Sequence, residues 1–299
     1  MNGRYRLSIA SIVDTEPSSV SSKWKNCRQK KKLSMDRSAA SADYDWIYFS
    51  PHLDDAALSC GGQIYMATQT GERVLIVTIT AGDPIAPVSS YAASLHNRWE
   101  LVVDATAVRR EEDLAACAIL GADALHWAVP DCIYRVDSQG MPFYVDDADI
   151  FGPIAPAELG MVDELVEQMR ALPPARHLLA PLTVGNHVDH RLTRMAAERA
   201  FGIDKLLYYE DYPYAQQPGK LELVLDAPKN DCLGNNRAWI SETVRLDTVA
   251  LETKYAAVTA FRSQLSTFFH DQTDLQAQIG GYVATVGGER RWRCLPMVK

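Results

Sequence analysis

Apolar and polar positions in this chain repeat with two alternating periods from residue 45 onward. Asp45 to Phe49 and Val74 to Thr80 are short β-branched or aromatic runs that predict strands. Between them, Ala56 to Thr70 has helical spacing and ends at Gly71. Ala107 to Leu120 predicts a second helix, again closed by a glycine, Gly121, with a strand following near Ala124 to Val129. Glu158 to Leu172 predicts a third helix, stopped by Pro173-Pro174, and His177 to Ala180 the next strand. Val188 to Phe201 and Leu206 to Tyr209 repeat the unit once more. Further on the pattern is weaker: Leu221 to Leu225 and Thr243 to Leu246 read as strands of a hairpin-like addition, before a helix from Leu251 to Ser263. Repeated β-α-β order with short connections implies an α/β fold, a Rossmann-like three-layer αβα sandwich around a mostly parallel sheet.

Composition sets the frame for this fold without choosing a function. With 299 residues, 47% of them hydrophobic and 23% charged, the chain is that of an ordinary globular protein with one main domain. Residues 1 to 42 combine serine clusters with the basic run Arg28-Gln29-Lys30-Lys31-Lys32 and lack a hydrophobic period, which predicts a flexible arm preceding a folded domain over residues 43 to 299. A net charge of −8 argues against nucleic acid or an anionic membrane as partner, because both are recognised mainly through excess Lys and Arg. No run approaches the ~18 apolar residues that span a bilayer, and no clear cleavable leader is present, so a cytoplasmic location is expected. The six cysteines, Cys27, Cys60, Cys117, Cys132, Cys232 and Cys294, form no CxxC pair and are expected to be reduced and mostly buried.

Candidate chemistry concentrates at the ends of the expected strands, where open parallel sheets bind ligands. Ser50-Pro51-His52-Leu53-Asp54-Asp55 follows the first strand, and Gly185-Asn186-His187-Val188-Asp189-His190 follows the fourth; Asp83 and Asp131 follow the second and third. Two imidazoles and one carboxylate make a three-ligand set that leaves positions open for water and substrate, the mark of a catalytic metal centre. His52, Asp55 and His190 are the expected ligands. Asp54, beside a ligand, is placed to take a proton from water, and His187, one helical turn from His190, to hydrogen-bond the other side of the reacting group. Asp189 either orients an imidazole or caps the helix that follows. Zinc is the default metal, although ferrous iron or another divalent ion also suits this donor set.

The loop at 51 to 55 resembles the PHPDDE signature, and the segment at 187 to 190 the HPDH-type signature, of the PIG-L or LmbE-like zinc de-N-acetylases. The resemblance runs from about residue 45 to the C-terminus. It includes Arg109-Arg110-Glu111-Glu112 leading to Leu120-Gly121, Tyr209-Glu210-Asp211-Tyr212-Pro213 and Glu289-Arg290-Arg291-Trp292. It implies that His52, Asp55 and His190 bind metal, that Asp54 is the general base, and that His187 stabilises an oxyanion or assists the leaving amine. It also implies that Arg109 holds substrate, and that the reaction is removal of an N-acetyl or N-acyl group from a small glycoconjugate or amino-sugar-bearing metabolite. Leu53 and Ala56 depart from the signature, standing where the family has proline and glutamate.

Substrate contacts are expected from the long segment Gly82 to Thr106, whose His96-Asn97-Arg98-Trp99 offers a guanidinium for hydroxyls and an indole for a ring face. Tyr212 and Tyr214 either wall the same pocket or, as is commoner for aromatics beside a proline such as Pro213, serve packing. Two other functions fit the same residues: a different metal-dependent reaction such as hydration of an unsaturated acid, and a metal-containing carbohydrate-binding protein without turnover. Oligomeric state has no signature in the sequence.

Overall fold

Near-continuous apolar runs such as Trp46-Ile47-Tyr48-Phe49 belong to strands covered on both faces. A computed structural model of the chain places them so. It describes residues 43–296 except 86, 102 and 227–236, and the expected arm at 1 to 42 lies outside them. The strands are β1 (Tyr44–Ser50), β2 (Val74–Thr78), β3 (Asp123–His126), β4 (Ala175–Pro181), β5 (Leu206–Tyr209), β6 (Arg237–Val244) and β7 (Glu289–Pro296). The helices are α1 (Asp55–Gln69), α2 (Ser90–Arg98), α3 (Ala105–Leu120), α4 (Asp147–Ile150), α5 (Met161–Arg170), α6 (Val188–Phe201), α7 (Lys220–Asp226), α8 (Thr248–Thr259), α9 (Arg262–Phe268) and α10 (Gln272–Val286). Among the described residues no helix is long and apolar enough to cross a membrane.

The sheet order is β3-β2-β1-β4-β5-β7-β6. The first five strands are parallel, while β7 pairs antiparallel with both β5 and β6. Strand alternation divides the core into two layers. Ile47, Phe49, Leu75 and Val77 face a cluster with Val162 and Leu165 of α5 and Leu192 and Ala196 of α6. Tyr48, Ile76, Leu179 and Leu207 face the other way, against Cys60 and Ile64 of α1, Leu120 of α3 and Ala257 of α8. This is the expected three-layer αβα sandwich. Among the described residues, Cys60, Cys117, Cys132 and Cys294 are free and buried.

Strand order fixes where the site must form. From β1 the chain crosses to β2 on one side, whereas β4 pairs with β1 on the other. The carboxyl ends of β1 and β4 therefore flank the point where the winding direction reverses, which is where doubly wound sheets open a crevice. The two candidate motifs follow these two strands.

Several elements differ from expectation. Leu221 to Leu225 is not a strand but lies within α7: Leu221 is buried and Leu223 is 70% exposed, while Val224 and Leu225 pack against the same core as Leu221. The apparent alternation conceals an i, i+3, i+4 face. The partner of the strand near Thr243 to Leu246 is β7, which pairs with β6 from Arg237 to Val244. The expected helix from Leu251 to Ser263 starts earlier, where the Asp247 carboxylate accepts from Ala250 N at 2.7 Å, and breaks after Thr259 before α9 begins. The segment Gly82 to Thr106 is not wholly irregular, since α2 forms within it, capped by Ser89 Oγ accepting from Ala92 N at 3.1 Å. The last strand also reaches across the sheet: the Glu289 carboxylate accepts from Gly62 N and Gln63 N of α1 at 3.0 and 2.8 Å and from Lys254 Nζ at 2.6 Å.

The loop after β4 needs unusual backbone. Thr183, Gly185 and Asn186 have φ of 68°, 92° and 69°, and a Cβ on Gly185 would lie 2.5 Å from the Tyr214 ring. Both the dihedral and the contact require glycine. Gly185→Ala is expected to lower the unfolding free energy by about 1–3 kcal/mol, read from the urea midpoint of the purified protein.

Candidate metal centre and active site

The turn after β1 is held by its own polar atoms before any partner arrives. Ser50 Oγ donates to His52 O at 2.7 Å and accepts from Ala56 N at 3.0 Å. His52 N donates to Asp55 Oδ2 at 2.8 Å. Asp54 has φ 153° and ψ −29° and makes no side-chain cap on α1, so the capping role common for an aspartate here is not the one it takes. Non-glycine residues in such backbone cost about 1–3 kcal/mol and recur at functional sites.

Across the crevice, His190 in the first turn of α6 completes a convergence on one oxygen. Asp55 Oδ2 lies 3.1 Å from His52 Nδ1 and 3.2 Å from His190 Nε2. Donors about 2.0–2.2 Å from a tetrahedral ion stand roughly 3.3 Å apart, and the two separations from Asp55 Oδ2 are of that length. Each imidazole also has an outer carboxylate: His190 Nδ1 is 2.6 Å from Asp211 Oδ1, and His52 Nε2 is 3.1 Å from Asp189 Oδ2. A ring N–H given to such a carboxylate leaves the other nitrogen's lone pair free for a cation, the usual second half of a histidine metal site. Electrostatics agree with the geometry. Burial alone would lower His52 and His190, but the carboxylates around them, Asp131, Asp189 and Asp55 for His52 and Asp55 and Asp211 for His190, hold both above the usual histidine range. Asp55 is held well below its ordinary value by the two imidazoles despite burial. Burial pushes Asp211 up, with His190 and the Val184 N–H opposing it.

His187 is different from the other two histidines although their ring nitrogens cluster within 4.8 Å. It is the N-cap of α6, and its Nδ1 accepts from Asp189 N at 3.2 Å. A backbone N–H can only donate, so Nδ1 carries the lone pair and Nε2 the proton. Burial, and then the neighbouring His52 and His190, hold His187 well below the usual range and keep it neutral. It therefore presents an N–H donor rather than a ligand lone pair.

Asp54 completes the centre. It is buried, and burial followed by repulsion from Asp55 raises its carboxyl to about 7, with the Arg109 guanidinium opposing the rise. Arg109 lies 3.7 Å from Asp54 and 3.8 Å from Asp131, and its guanidinium sits 4.8 Å from the centre of the Trp99 ring. His96 is buried and lies 2.6 Å from the Tyr134 hydroxyl. Its ring is also tilted against that of Trp99, with centroids 5.7 Å apart. Arg109, Asp131, Trp99 and His96 are thus linked to one another beside Asp54. Asp83 and Arg98 are not: Asp83 is exposed and pairs with Arg110 at 2.9 Å, and Arg98 is exposed at the end of α2. Tyr214 does wall the centre, edge-on to His190 and Phe151, and Phe151 in turn packs edge-on to His187. Tyr212 is buried elsewhere, in the cluster of Leu58, Tyr255 and Phe269.

Two residues of the centre escape the reading of the sequence. Asp211 follows β5 by two positions, so the strand-end rule that draws attention to Asp83 and Asp131 reaches it when carried to the fifth strand. Arg135 has no such signal. It pairs with Asp189 at 2.6 Å and with Glu158 from a separate segment, a contact that only the folded chain creates. Asp189, held down by Arg135 against burial, also accepts from Cys132 N at 3.0 Å. Its side chain lies 3.1 Å from His52 Nε2 and does not cap α6, where the cap is His187.

Proteins of known activity resemble this chain in sequence and fold. The model of the family described as PIG-L, GlcNAc-PI de-N-acetylase, matches residues 47–201. A 2'-N-acetylparomamine deacetylase of Niallia circulans is 26% identical over 255 residues, covering 80% of this chain and 87% of that protein. One of Streptomyces fradiae is 32% identical over 175 residues, covering 57% and 58%. Among solved structures, teicoplanin deacetylase Orf2 in a zinc-inhibited form superposes with a TM-score of 0.71 at 27% identity, covering 85% of this chain and 98% of that one. The A40926 pseudoaglycone deacetylase Dbv21 gives 0.64 at 28%, covering 85% and 98%. The family match opens inside β1 and closes with α6, so it takes in both motifs and just over half of the chain. The protein belongs to the PIG-L, GlcNAc-PI de-N-acetylase, family.

Proposed function

We propose that this protein hydrolyses the N-acetyl amide of a small amino-sugar-bearing molecule, with zinc as its metal. The observation that carries the reading is the pair of imidazoles, His52 partly buried and His190 buried, each backed by a carboxylate and both turned to Asp55 Oδ2, with a further buried carboxyl, Asp54, beside it in the chain. The activities named for the similar proteins, on 2'-N-acetylparomamine, teicoplanin and a pseudoaglycone, support the substrate class.

In this reading His52 Nδ1, Asp55 Oδ2 and His190 Nε2 hold the cation. When bound, it polarises the amide carbonyl as a Lewis acid and acidifies water. Asp54 takes the proton of the attacking water and returns it to the departing nitrogen, so the amine leaves neutral. His187, whose Nε2 carries a proton, donates to the carbonyl oxygen as it becomes negative. Arg109 stands between Asp54 and Asp131 and, with Trp99 stacked on it, binds the sugar portion; His96 and Asp131 line the same side. Asp83 and Arg98, farther out, meet only the periphery of a larger substrate. Acetate release from 2'-N-acetylparomamine and from N-acetylglucosamine, measured with one equivalent of zinc, cobalt or ferrous iron added to metal-stripped protein, tests the reading. No release from either substrate with any metal would overturn it. Zinc beyond one equivalent is avoided, since a similar protein is described as zinc inhibited.

The division of labour is testable residue by residue. His52→Ala, Asp55→Ala and His190→Ala should abolish tight metal binding by elemental analysis. Asp54→Asn should keep the metal while kcat falls by about 10²–10⁴-fold, and Asp211→Asn should weaken metal affinity by about 10–100-fold. In metal-free protein the Asp54 carboxyl should titrate at about 7 by carboxyl-carbon NMR, and Arg109→Gln should move it higher, because the guanidinium favours the ionised form. A base must be deprotonated, so turnover is lost as pH falls through the Asp54 pKa, which an adjacent cation shifts below its metal-free value.

A further inference from the structure

We propose that Glu158 is a positioning residue of the metal centre, holding His52 in place through Arg135 and Asp189. The inference rests on the reading of His52 as a ligand and deepens it by naming what keeps that ligand aimed. Glu158 lies in the turn Pro156–Glu158, in the connection between β3 and α5, and its side chain is 3% exposed. A carboxylate at that depth persists only with a matching partner. Arg135 Nε donates to Glu158 Oε1 at 2.5 Å and Nη2 to Oε2 at 3.4 Å, while the Tyr144 hydroxyl donates to Oε2 at 2.5 Å. Tyr144 is fixed in turn, accepting from Ala155 N at 3.0 Å.

The same guanidinium reaches the centre. Its Nη2 lies 2.6 Å from Asp189 Oδ1, and its Nη1 donates to Pro130 O at 3.3 Å. Asp189 Oδ2 stands 3.1 Å from His52 Nε2 and accepts from Cys132 N at 3.0 Å. Among the described residues no hydrogen bond satisfies Asp189 Oδ1, although it is buried, so the ion pair with Arg135 is what sets the rotation of this carboxylate. A guanidinium is planar and rigid. Seating its Nε edge on Glu158 therefore fixes where Nη2 stands and, through Asp189, the orientation of the His52 ring.

Charge acts in the same direction. Arg135 divides its charge between two carboxylates, Glu158 and Asp189. Without the negative charge of Glu158 the buried guanidinium draws on Asp189 alone, which leaves less of that carboxylate for His52 and a more positive field at the centre. Both changes weaken a bound cation. An anchor that served only the fold would act on stability, with no dependence on Asp189.

The zinc affinity of the metal-stripped full-length protein, measured by competition with a chromophoric chelator, reads the effect without turnover. Glu158→Gln, which keeps the shape and removes the charge, should weaken zinc binding by about tenfold, the low end for groups that support a metal ligand. In an Asp189→Asn background the same change should weaken it by less than about twofold, because the path to His52 is already broken. Arg135→Lys keeps the positive charge and loses the fork, and should weaken binding by about tenfold. Tyr144→Phe removes one donor to Glu158 and should weaken binding by about threefold or more; it keeps the buried ring, so the test stands if the other variants do not fold. Wild-type affinity in any of these variants that folds, or an equal loss from Glu158→Gln with Asp189 present and with Asp189→Asn, would overturn the positioning role. Failure of the unaltered protein to bind zinc would instead remove the reading of the centre itself.

Discussion

Everything at this centre depends on a single carboxylate oxygen, Asp55 Oδ2, being approached by the partly buried His52 and the buried His190 from the carboxyl ends of two neighbouring strands, β1 and β4. Five carboxyls, Asp54, Asp55, Asp131, Asp189 and Asp211, are buried within reach of His52, His190, Arg109 and Arg135. Unpaired charges at such depth are costly, so carboxylates of this number persist only with matching positive charge. Two arginines and the two raised imidazoles provide four positive charges, and Asp54, raised to about 7, need not carry a full negative one. In the proposed working form a divalent cation carries the same charge as the two imidazolium protons it displaces, which weakens metal binding as pH falls.

The outer carboxylates tie the centre to the order of the strands. Asp189 arrives with α6, Asp211 with the end of β5, and Asp55 with the start of α1. Their convergence requires β1, β4 and β5 to be neighbours in that order. A parallel arrangement brings all three carboxyl ends to one edge, whereas antiparallel neighbours would send alternate loops to the opposite side.

How much of this can be read in the sequence varies with the range of the interactions involved. The first four strands and their helices are legible because each is specified by its own apolar period and a local stop, Gly71, Gly121 or Pro173. The gathering of His52, Asp54, Asp55, His187 and His190 is legible because they sit within a few residues of those strand ends. The antiparallel edge is not, since β6 has no clean alternation, with Trp239 packed on the core and Ile240 exposed, and finds β7 only across α8, α9 and α10. Residues 221 to 225 read as a strand because alternating leucines fit one as well as they fit a face of a short helix. Arg135 and the tautomer of His187 have no trace in the sequence, as both are defined by partners that only folding brings together. The sequence leaves Asp189 between two roles; in the fold it lies against His52 and Arg135, and the cap of α6 is His187.

Glu289 ties the last strand to the interior of the first helix, accepting from Gly62 and Gln63 while paired with Lys254. The turn that carries His52, Asp54 and Asp55 leads directly into that helix. During synthesis these residues emerge long before the segment that clamps them, by on the order of 10 s or more at usual elongation rates. For that interval the turn leads into a helix that lacks the carboxylate bound to its Gly62 and Gln63 N–H groups. The helix beneath the centre is thus completed by the last of the described strands to be synthesised.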